Sequence, residues 1–273
     1  MRMFDLHTHT IKSDGSDSPV QLVQNAKAAG LALIAVTDHD TVAGVREAAE
    51  EGRRTGMPVL PGIEFDTEFD GELHILGLGI DIGDTHLLEA LEKAALRREK
   101  RNREIFDKLK TVGVDAEPFM EYGEGTVTRL HVARAIVKAG GADTVPGAFD
   151  KYLRRGCVAN VPSKRPTKEE TIALIHGAGG VAVLAHPCKL RCDVHPLINE
   201  LAACGLDGLE AWYPTSTEGQ TGLFLSLCTQ LGLFATCGSD YHGRFRDVRL
   251  GAAWREDERL ERLLNFLMGR FCL

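Results

Sequence analysis

The feature that most constrains this chain is a series of short apolar runs, most of which end in or lead into a histidine or an acidic residue. The clearest run covers residues 31–37 and is followed by Asp38-His39-Asp40. A continuous apolar run of this length is typical of a strand buried on both faces, as in a parallel sheet. Similar runs predict further strands at residues 4–7, 58–63, 72–78, 181–185, 208–211 and 233–237.

Helical patterns separate most of these strands. Ser18-Pro19 is typical of an N-cap followed by proline at the first helical position, which predicts a helix to about residue 29. Other predicted helices cover residues 42–55, 86–111, 167–178, 196–204, 219–231 and 257–268. Such alternation favours a parallel barrel or a doubly wound sheet. We prefer the barrel, because only there do the carboxyl ends of all strands meet at one mouth and bring the polar residues together.

The alternation stops between about residues 100 and 164. Two helices are expected there, over residues 128–139 and 145–154. A stretch of this length is too long for a bare loop within a compact domain. We therefore expect residues 1–99 and 165–273 to form the barrel domain, and residues 100–164 to form an inserted helical cap. The charge run at residues 97–103 is expected to be a solvated helix face.

Composition and charge exclude several classes of protein. A net charge of −7 and an aromatic content of 6% argue against binding of long duplex nucleic acid. No apolar run approaches the roughly 18 residues that a membrane span requires, and the first residues lead into a strand without a signal-peptide core. Seven scattered cysteines suit a reducing compartment. We expect a cytoplasmic protein with no membrane partner.

Nine histidine and acidic residues are expected to face the mouth of the barrel: His7, His9, Asp14, His39, Glu64, His74, His186, Asp240 and His242. Without partners, six imidazoles and three carboxylates packed together would carry a large desolvation cost. Metal ions remove this cost, and mixed nitrogen and oxygen ligands suit zinc, manganese or iron(II). Nine ligands are too many for one ion with an open position, so two or three divalent metal ions are expected.

The motifs that contain these residues resemble those of the PHP family, named for polymerase and histidinol phosphatase. They are His7-Thr8-His9, Thr37-Asp38-His39, Glu64, His186-Pro187 and Asp240-Tyr241-His242. The resemblance covers the whole barrel portion and implies a distorted seven-stranded β/α barrel with a trinuclear metal centre. It places His7, His9, Glu64 and Asp240 on one metal, Glu64, His74 and His186 on a second, and Asp14, His39 and His242 on a third.

The insertion resembles that of stand-alone PHP phosphoesterases acting on 5′-nucleotides, 3′,5′-bisphosphonucleotides and short oligoribonucleotides. His131 and Arg134 share one face of its helix and are expected to point donors at a phosphate, with a solvated or salt-bridged role as the alternative. Arg129 and the pair Lys164-Arg165 are further candidates for substrate binding. Residues 212–217, Trp-Tyr-Pro-Thr-Ser-Thr, replace a motif in which relatives often have Tyr-His-Pro and another histidine. We expect a substrate contact to differ there.

The expected reaction needs no nucleophile from the protein. The attacking group is expected to be a metal-bridging hydroxide held by Glu64, His7, His9 and Asp240. The leaving alcohol takes its proton from a metal-bound water or from a nearby acid, for which Asp40 and His195 are the candidates. Glu210 and Asp38 are candidates for residues that orient ligand imidazoles, with an ordinary core or surface role as the alternative.

The sequence thus predicts a metal-dependent phosphoesterase that hydrolyses a phosphomonoester of a nucleotide, of the 5′-AMP or 3′,5′-bisphosphonucleotide type. The closest alternative is a 5′→3′ exonuclease on short oligoribonucleotides, which uses the same metals but needs a longer groove. A histidinol-phosphate phosphatase suits the insertion less well. The complete ligand set disfavours a non-catalytic metal-binding accessory module. A carboxylated-lysine amidohydrolase is disfavoured because the nearest lysine, Lys189, lies beyond the strand end.

Overall fold

A seven-stranded sheet is the central element of the computed structural model, which describes residues 1–121 and 125–273. The strands are β1 (Phe4–Asp5), β2 (Leu33–Val36), β3 (Val59–Thr67), β4 (Leu73–Leu78), β5 (Val181–Leu184), β6 (Gly208–Trp212) and β7 (Phe234–Cys237), and they neighbour one another in this order. Beyond β1, the Leu6 N–H donates to the carbonyl of Cys237 (N···O 3.3 Å), and Thr8 forms a parallel bridge with Tyr241. The sheet is therefore a nearly closed barrel, and the predicted fold class is confirmed.

Helices connect most of the strands, as expected. Those in the described residues are α1 (Pro19–Ala28), α2 (Val45–Thr55), α3 (Thr85–Thr111), α4 (Arg129–Lys138), α5 (Val145–Ala148), α6 (Lys168–Gly177), α7 (Val194–Ala203), α8 (Glu218–Leu231) and α9 (Glu258–Arg270). Ser18 caps α1 through a reciprocal pair of hydrogen bonds with Gln21, so the predicted start of this helix is confirmed. None of the described helices combines the length and the apolar character required to cross a bilayer.

One strand departs from the parallel pattern. β4 pairs antiparallel with both β3 and β5, whereas the other strand pairs are parallel. The reason is local, because only residues 68–72 separate β3 from β4 and a parallel pair would need a much longer crossover. The amino end of β4 therefore lies at the barrel mouth. His74, the second residue of this strand, reaches the mouth from the opposite chain direction to the other ligand candidates.

The long helix α3 joins two separate apolar clusters. Leu87 and Leu91, near its start, pack in the barrel core. Its second half packs on the inserted segment in a cluster that includes Ile105, Phe106, Leu109, Val132, Ile136 and Leu153. Between the two clusters lie Arg98 and Arg101, which are 9% and 4% exposed. The prediction of a solvated face at residues 97–103 is therefore wrong for these two arginines, because α3 is covered on that side by both the barrel and the insertion.

Candidate active site

Backbone pairing fixes the two histidines that follow β1. The bridge between Thr8 and Tyr241 lies between them, and the His9 N–H donates to the Tyr241 carbonyl at 2.8 Å. Below the bridge, the Thr8 hydroxyl donates to the carbonyl of Ala35 at 2.5 Å. Residues on either side of an extended residue point the same way. His7 and His9 therefore both face the mouth, and both are fully buried.

Left-handed backbone conformations follow the ends of three strands. Asp40, His186 and Asp240 have φ angles of 46°, 30° and 55°, in a region that is costly for residues with a Cβ atom. They come shortly after β2, β5 and β7. Such strain persists where the surrounding structure fixes it, and it clusters at functional sites. Here the sharp turns place the side chains of His186 and Asp240 within the mouth.

The carboxylate of Glu64 lies at the centre of the mouth. β3 continues three residues beyond Glu64, so this residue lies within a strand and not at the predicted strand end. Five imidazoles surround its two oxygens. Oε1 lies 2.8 Å from His74 Nδ1, 3.1 Å from His186 Nε2 and 3.3 Å from His7 Nε2, and Oε2 lies 3.1 Å from His39 Nδ1 and 3.2 Å from His9 Nε2.

Two further carboxylates complete the cluster. Asp240 Oδ1 lies 3.3 Å from His9 Nε2 and 3.6 Å from His7 Nε2. Asp14 Oδ1 lies 3.2 Å from His242 Nε2, and Asp14 Oδ2 lies 3.9 Å from the His39 ring. The structure thus brings together all nine residues predicted from the sequence. Four overlapping groups have ligand atoms within 4.8 Å of one another: His9-Asp14-His39-His242, His7-His9-Asp240, His7-Glu64-His186 and His39-Glu64-His74.

The donor set fits divalent metal ions. Several of its buried ligand atoms lie close to one another but have no partner in hydrogen-bonding geometry, namely His7 Nε2, His9 Nε2, Asp14 Oδ1, Glu64 Oε2 and His242 Nε2. Buried polar atoms without partners are rare and costly, so their convergence indicates a ligand. Burial lowers the pKa of His9, but Asp240 and Glu64 outweigh it and raise that pKa to about 9. These carboxylates therefore stabilise positive charge at the His9 ring, and a bound cation would supply that charge in place of the proton.

The pKa shifts of Glu64, His39 and His186 favour the protonation states that bind metals. Burial raises the pKa of the Glu64 carboxyl, but the imidazoles of His39, His74 and His7 hold it well below its usual range. Burial lowers the pKa of His39 to about 4 and that of His186 to about 3. Metal ligands must be deprotonated. An ionised Glu64 and neutral rings of His39 and His186 meet that requirement at neutral pH.

Outer hydrogen bonds hold the ligand rings. Glu210, fully buried on β6, lies 3.1 Å from His7 Nδ1 through Oε1 and accepts the His186 N–H through Oε2 at 2.6 Å. Such a partner fixes the tautomer and leaves the other ring nitrogen free for a metal. A Cβ atom at residue 238 would overlap both Glu210 and His7, so Gly238 permits this contact. Asp38 contacts the His9 ring indirectly, through Ser13. The Ser13 hydroxyl donates to Asp38 at 2.5 Å and lies 3.3 Å from His9 Nδ1.

Comparison with known proteins identifies the family. A family model described as the PHP domain matches residues 5–127. A 5′-3′ exoribonuclease of Haemophilus influenzae is 34% identical to this chain, over 92% of this chain and 93% of its own length. The chain belongs to the PHP family. The resemblance noted in its motifs is therefore confirmed.

Two further relatives give the breadth of the family. A 3′,5′-nucleoside bisphosphate phosphatase of Chromobacterium violaceum is 32% identical over 89% of this chain and 88% of its own length. The solved structure of a candidate metal-dependent phosphoesterase from Bifidobacterium adolescentis covers 98% of this chain and is itself 96% covered, with a TM-score of 0.85 at 30% identity. This chain is accordingly a metal-dependent PHP phosphoesterase, with clusters of histidine and acidic residues able to bind metals.

The mouth of this PHP enzyme carries cations that the sequence analysis did not assign. Asp240 turns Oδ2 away from the imidazoles, and this oxygen lies 2.8 Å from both Lys189 Nζ and the Tyr213 hydroxyl. Arg246 also donates to it. The sequence pointed to these two cations only by their short distance along the chain from ligand motifs, since Lys189 follows His186-Pro187 and Arg246 follows His242. Tyr213 belongs to the segment in which a changed substrate contact was expected.

Helix α4 adds a further cationic group beside the mouth. The guanidinium of Arg134 lies 3.7 Å from the ring centre of Phe245, and this contact joins α4 to the loop after β7. Burial lowers the pKa of Arg134, while Asp14 opposes that effect. His131 Nδ1 accepts the N–H of Thr128 at 3.1 Å as part of the N-terminal cap of α4. Nε2 therefore carries the proton of the neutral ring and remains a donor.

The remaining predicted residues have different surroundings. Arg129 pairs with Glu72 at 3.0 Å, and Arg165 pairs with Asp66 at 3.2 Å. Lys164 is exposed. Both oxygens of Asp40 are engaged, because Oδ1 accepts the Asp66 N–H at 3.0 Å and Oδ2 accepts from Arg98.

His195 lies at the exposed start of α7, where its Nδ1 is 3.1 Å from the side-chain amide of Asn199. Neither Asp40 nor His195 thus lies in an arrangement that singles it out as a proton donor. Their assignment as candidate acids stays a prediction.

Proposed function

We propose that this enzyme hydrolyses the terminal phosphomonoester of a nucleotide, of the 5′-AMP or 3′,5′-bisphosphonucleotide type. The observation that carries the proposal is the position of Asp240. One of its oxygens faces the imidazole cluster, and the other contacts Lys189 and Arg246. A phosphate at this point has metal ligands on one side and cationic donors on the other, which is the environment that phosphoryl transfer requires.

The proposed metal centre holds two or three divalent ions, with manganese, iron(II) or zinc as the candidates. In the assignment we propose, the first site has His7, His9, Glu64 and Asp240, the second has Glu64, His74 and His186, and the third has Asp14, His39 and His242. When bound, such ions supply Lewis acidity to the phosphate ester and lower the pKa of water. Support comes from the unpartnered atoms of these residues and from the distances around Glu64.

The chain's own donors would orient the substrate. Lys189 and Arg246 contact only one oxygen of Asp240, and each has further N–H groups to offer a phosphate oxygen. Arg134 approaches from the cap, fixed by its contact with Phe245. Guanidinium groups bind phosphate through paired N–H donors, which fixes orientation as well as charge. We propose that these three cations hold the non-bridging oxygens of the reacting phosphate.

A 5′→3′ exonuclease on short oligoribonucleotides is the second candidate. It is favoured by the similarity to an exoribonuclease over nearly the full length of both chains. The same cluster would then act on a phosphodiester. The two candidates differ in the first product, which is inorganic phosphate for the phosphatase and a mononucleotide for the exonuclease.

A substrate panel tests the proposal. The chelator-treated protein is reloaded with manganese, iron(II) or zinc and incubated with adenosine 3′,5′-bisphosphate, 5′-AMP and a 5′-phosphorylated trinucleotide. Phosphate release is measured together with chromatography of the nucleotides. We expect inorganic phosphate from at least one mononucleotide, faster than mononucleotide is released from the trinucleotide. Faster release of mononucleotide would replace the phosphatase with the exonuclease, and the absence of all three activities would overturn both.

We further propose a cytoplasmic enzyme whose partner is a small phosphorylated substrate or short RNA, without a membrane or long duplex nucleic acid. All seven cysteines are free, which suits a reducing compartment. We also propose residues 100–164 as the cap that covers the substrate. Support comes from the separate apolar cluster in this segment and from the contact between Arg134 and Phe245.

A further inference from the structure

A positively charged pocket lies beside the imidazole cluster. It is formed by α3, by the loop after β2, by β3 and by residues 163–166, where the chain leaves the insertion. Five cationic side chains and two carboxylates line it: Arg97, Arg98, Arg101, Lys164, Arg165, Asp40 and Asp66. We call this the arginine pocket. The cations outnumber the carboxylates, so its charge is positive within a protein whose net charge is −7.

The carboxylates neutralise only part of this charge. Arg98 donates to Asp40 with its Nε at 3.0 Å and lies 3.5 Å from Asp66. Arg165 lies 3.2 Å from the same oxygen of Asp66. Two arginines and two carboxylates thus form one connected network. Arg101 stands outside it.

Arg101 is buried without a carboxylate partner among the residues that the structure describes. Its exposed fraction is 4%, and its Nε and one terminal nitrogen contact only the side-chain oxygen of Asn102, at 3.2 and 2.9 Å. Burial lowers its pKa to about 9, the neighbouring charges of Arg98 and Arg129 act in the same direction, and the charge of Asp66 opposes them only in part. The side chain is still charged at neutral pH. A buried charge without an opposite charge is costly, so an anion in the pocket would relieve that cost.

The arginine pocket shares a wall with the proposed metal centre. Asp66 is that wall, because its Oδ1 lies 3.7 Å from His74 Nε2 while its Oδ2 contacts Arg165. Asp40 forms the rest, since its N–H donates to the carbonyl of Glu64. Lys189 and Arg246 contact Asp240 and do not line this pocket. A ligand that reaches both places must therefore carry two separate anionic groups.

We propose that the arginine pocket binds a second phosphate of the substrate, with Arg101 as its main donor. The inference rests on the proposed function and narrows it, since a nucleotide with two phosphate groups is then preferred over one with a single phosphate. The second group is either the other phosphate of a nucleoside bisphosphate or the next phosphate of a short oligonucleotide. Their shared chemistry is a phosphate ester held by guanidinium groups at a fixed distance from the reacting phosphate.

The test compares two arginine variants of the same helix. Arg101→Gln removes the buried charge, and Arg103→Gln removes an exposed charge that pairs with Glu99 on the same helix. Steady-state kinetics are measured on adenosine 3′,5′-bisphosphate and on p-nitrophenyl phosphate, which has one phosphate. A hydrogen bond to a charged group implies a change of about tenfold or more. We expect Arg101→Gln to lower kcat/KM for the bisphosphate at least about tenfold more than for p-nitrophenyl phosphate, mainly through KM. Arg103→Gln should not separate the two substrates.

Equal losses on both substrates in Arg101→Gln would mean that Arg101 has only a structural role, and the proposal would be overturned. If Arg101→Gln does not fold, Lys164→Ala is the second variant, since Lys164 is an exposed part of the pocket wall. It should raise KM for the bisphosphate about two- to fivefold more than KM for p-nitrophenyl phosphate. An unchanged ratio would also overturn the proposal.

Failure of the proposed function gives a different result. If the metal-loaded protein hydrolyses neither compound, the pocket is tested by calorimetric titration with adenosine 3′,5′-bisphosphate and with 5′-AMP. We expect tighter binding of the bisphosphate, and a loss of that preference in Arg101→Gln. Equal affinity for the two nucleotides would overturn the arginine pocket as a phosphate site. A trinucleotide with internal phosphates is titrated in parallel. Tighter binding of the trinucleotide than of the bisphosphate would indicate the next phosphate of an oligonucleotide, and weaker binding the other phosphate of a nucleoside bisphosphate.

Discussion

The imidazole cluster at the barrel mouth and the arginine pocket lie on either side of Asp66 and Asp40 but are built in opposite ways. Within the described residues, the cluster has buried ligand atoms without a hydrogen-bond partner, whereas the pocket has a buried guanidinium without a carboxylate partner. The first arrangement calls for metal ions and the second for a phosphate. Together they suggest that the enzyme separates two tasks, activating one phosphate at the mouth and recognising another next to it.

The two regions also differ in how the chain forms them. Ligand residues of the cluster follow β1, β2, β5 and β7 or lie on β3 and β4, so strand order and register place them. The arginine pocket combines residues 40 and 66, which the bridge between His39 and Glu64 brings together, with residues 97–101 and 163–165, which lie on no strand. A change in the cluster should therefore affect every substrate alike, whereas a change in the pocket should affect substrates differently.

Asp240→Asn provides the largest expected effect. It keeps the shape of the side chain, and asparagine tolerates the left-handed backbone at this position. The change removes one negative charge from the proposed metal centre, so we expect kcat to fall by about a thousandfold or more on mono- and bisphosphates alike. Metal content by mass spectrometry and kcat for both substrates are the measurements.

Circular dichroism and thermal unfolding of Asp240→Asn serve as its control, because the barrel should remain folded. Near-normal turnover in this variant would show that Asp240 is not a ligand. A loss of kcat confined to the bisphosphate would show that the imidazole cluster also selects between substrates, against the proposed division of tasks.

The sequence was sufficient to predict the cluster because the relevant information is local. Buried strands are apolar, and a histidine or acid directly after such a run has few reasons to be there apart from a site. His74 reached the mouth for a reason that the sequence did not provide. Its strand is antiparallel, and that follows from the short connection between β3 and β4.

The arginine pocket could not be predicted in the same way. The run at residues 97–103 has the composition of an exposed helix face, and only the packing of α3 against two apolar clusters buries Arg98 and Arg101. A signal was nevertheless present. The buried face of α3 contains Leu91, Arg98 and Ile105, seven residues apart, so the arginine interrupts an apolar stripe at a core position.

Glu210→Gln tests whether the hydrogen bonds that hold the ligand histidines affect metal binding without affecting the choice of substrate by the arginine pocket. The amide can still pair with His7 but cannot accept the His186 N–H with its nitrogen. We expect a 10- to 100-fold loss in metal affinity, with no change in the preference between mono- and bisphosphates. Titration of the metal-free protein with manganese measures the affinity.

Asp207→Asn is a matched control for Glu210→Gln. Asp207 also binds a histidine ring and a backbone N–H, from His176 at 2.8 Å and Ala182 at 2.7 Å, but it lies at the start of β6, away from the mouth. This variant should lose thermal stability and keep its metal affinity. Equal metal affinity in both variants would argue that Glu210 supports the fold only.

Arg134→Ala gives the smallest expected effect on kinetics. It tests which of the two phosphates Arg134 binds, because this residue lies on α4 in the proposed cap and contacts Phe245 in the loop after β7. We expect KM to rise about tenfold on both p-nitrophenyl phosphate and adenosine 3′,5′-bisphosphate, with little change in kcat. Phe245→Leu removes the ring under the guanidinium and should raise KM two- to fivefold, in keeping with a cation–π contact of about 0.5–1 kcal/mol. A rise confined to the bisphosphate would instead assign Arg134 to the second phosphate. In that case the proposed cap would bind the second phosphate and the barrel the reacting phosphate. The two binding sites would then not be the mouth at Asp240 and the arginine pocket at Asp66.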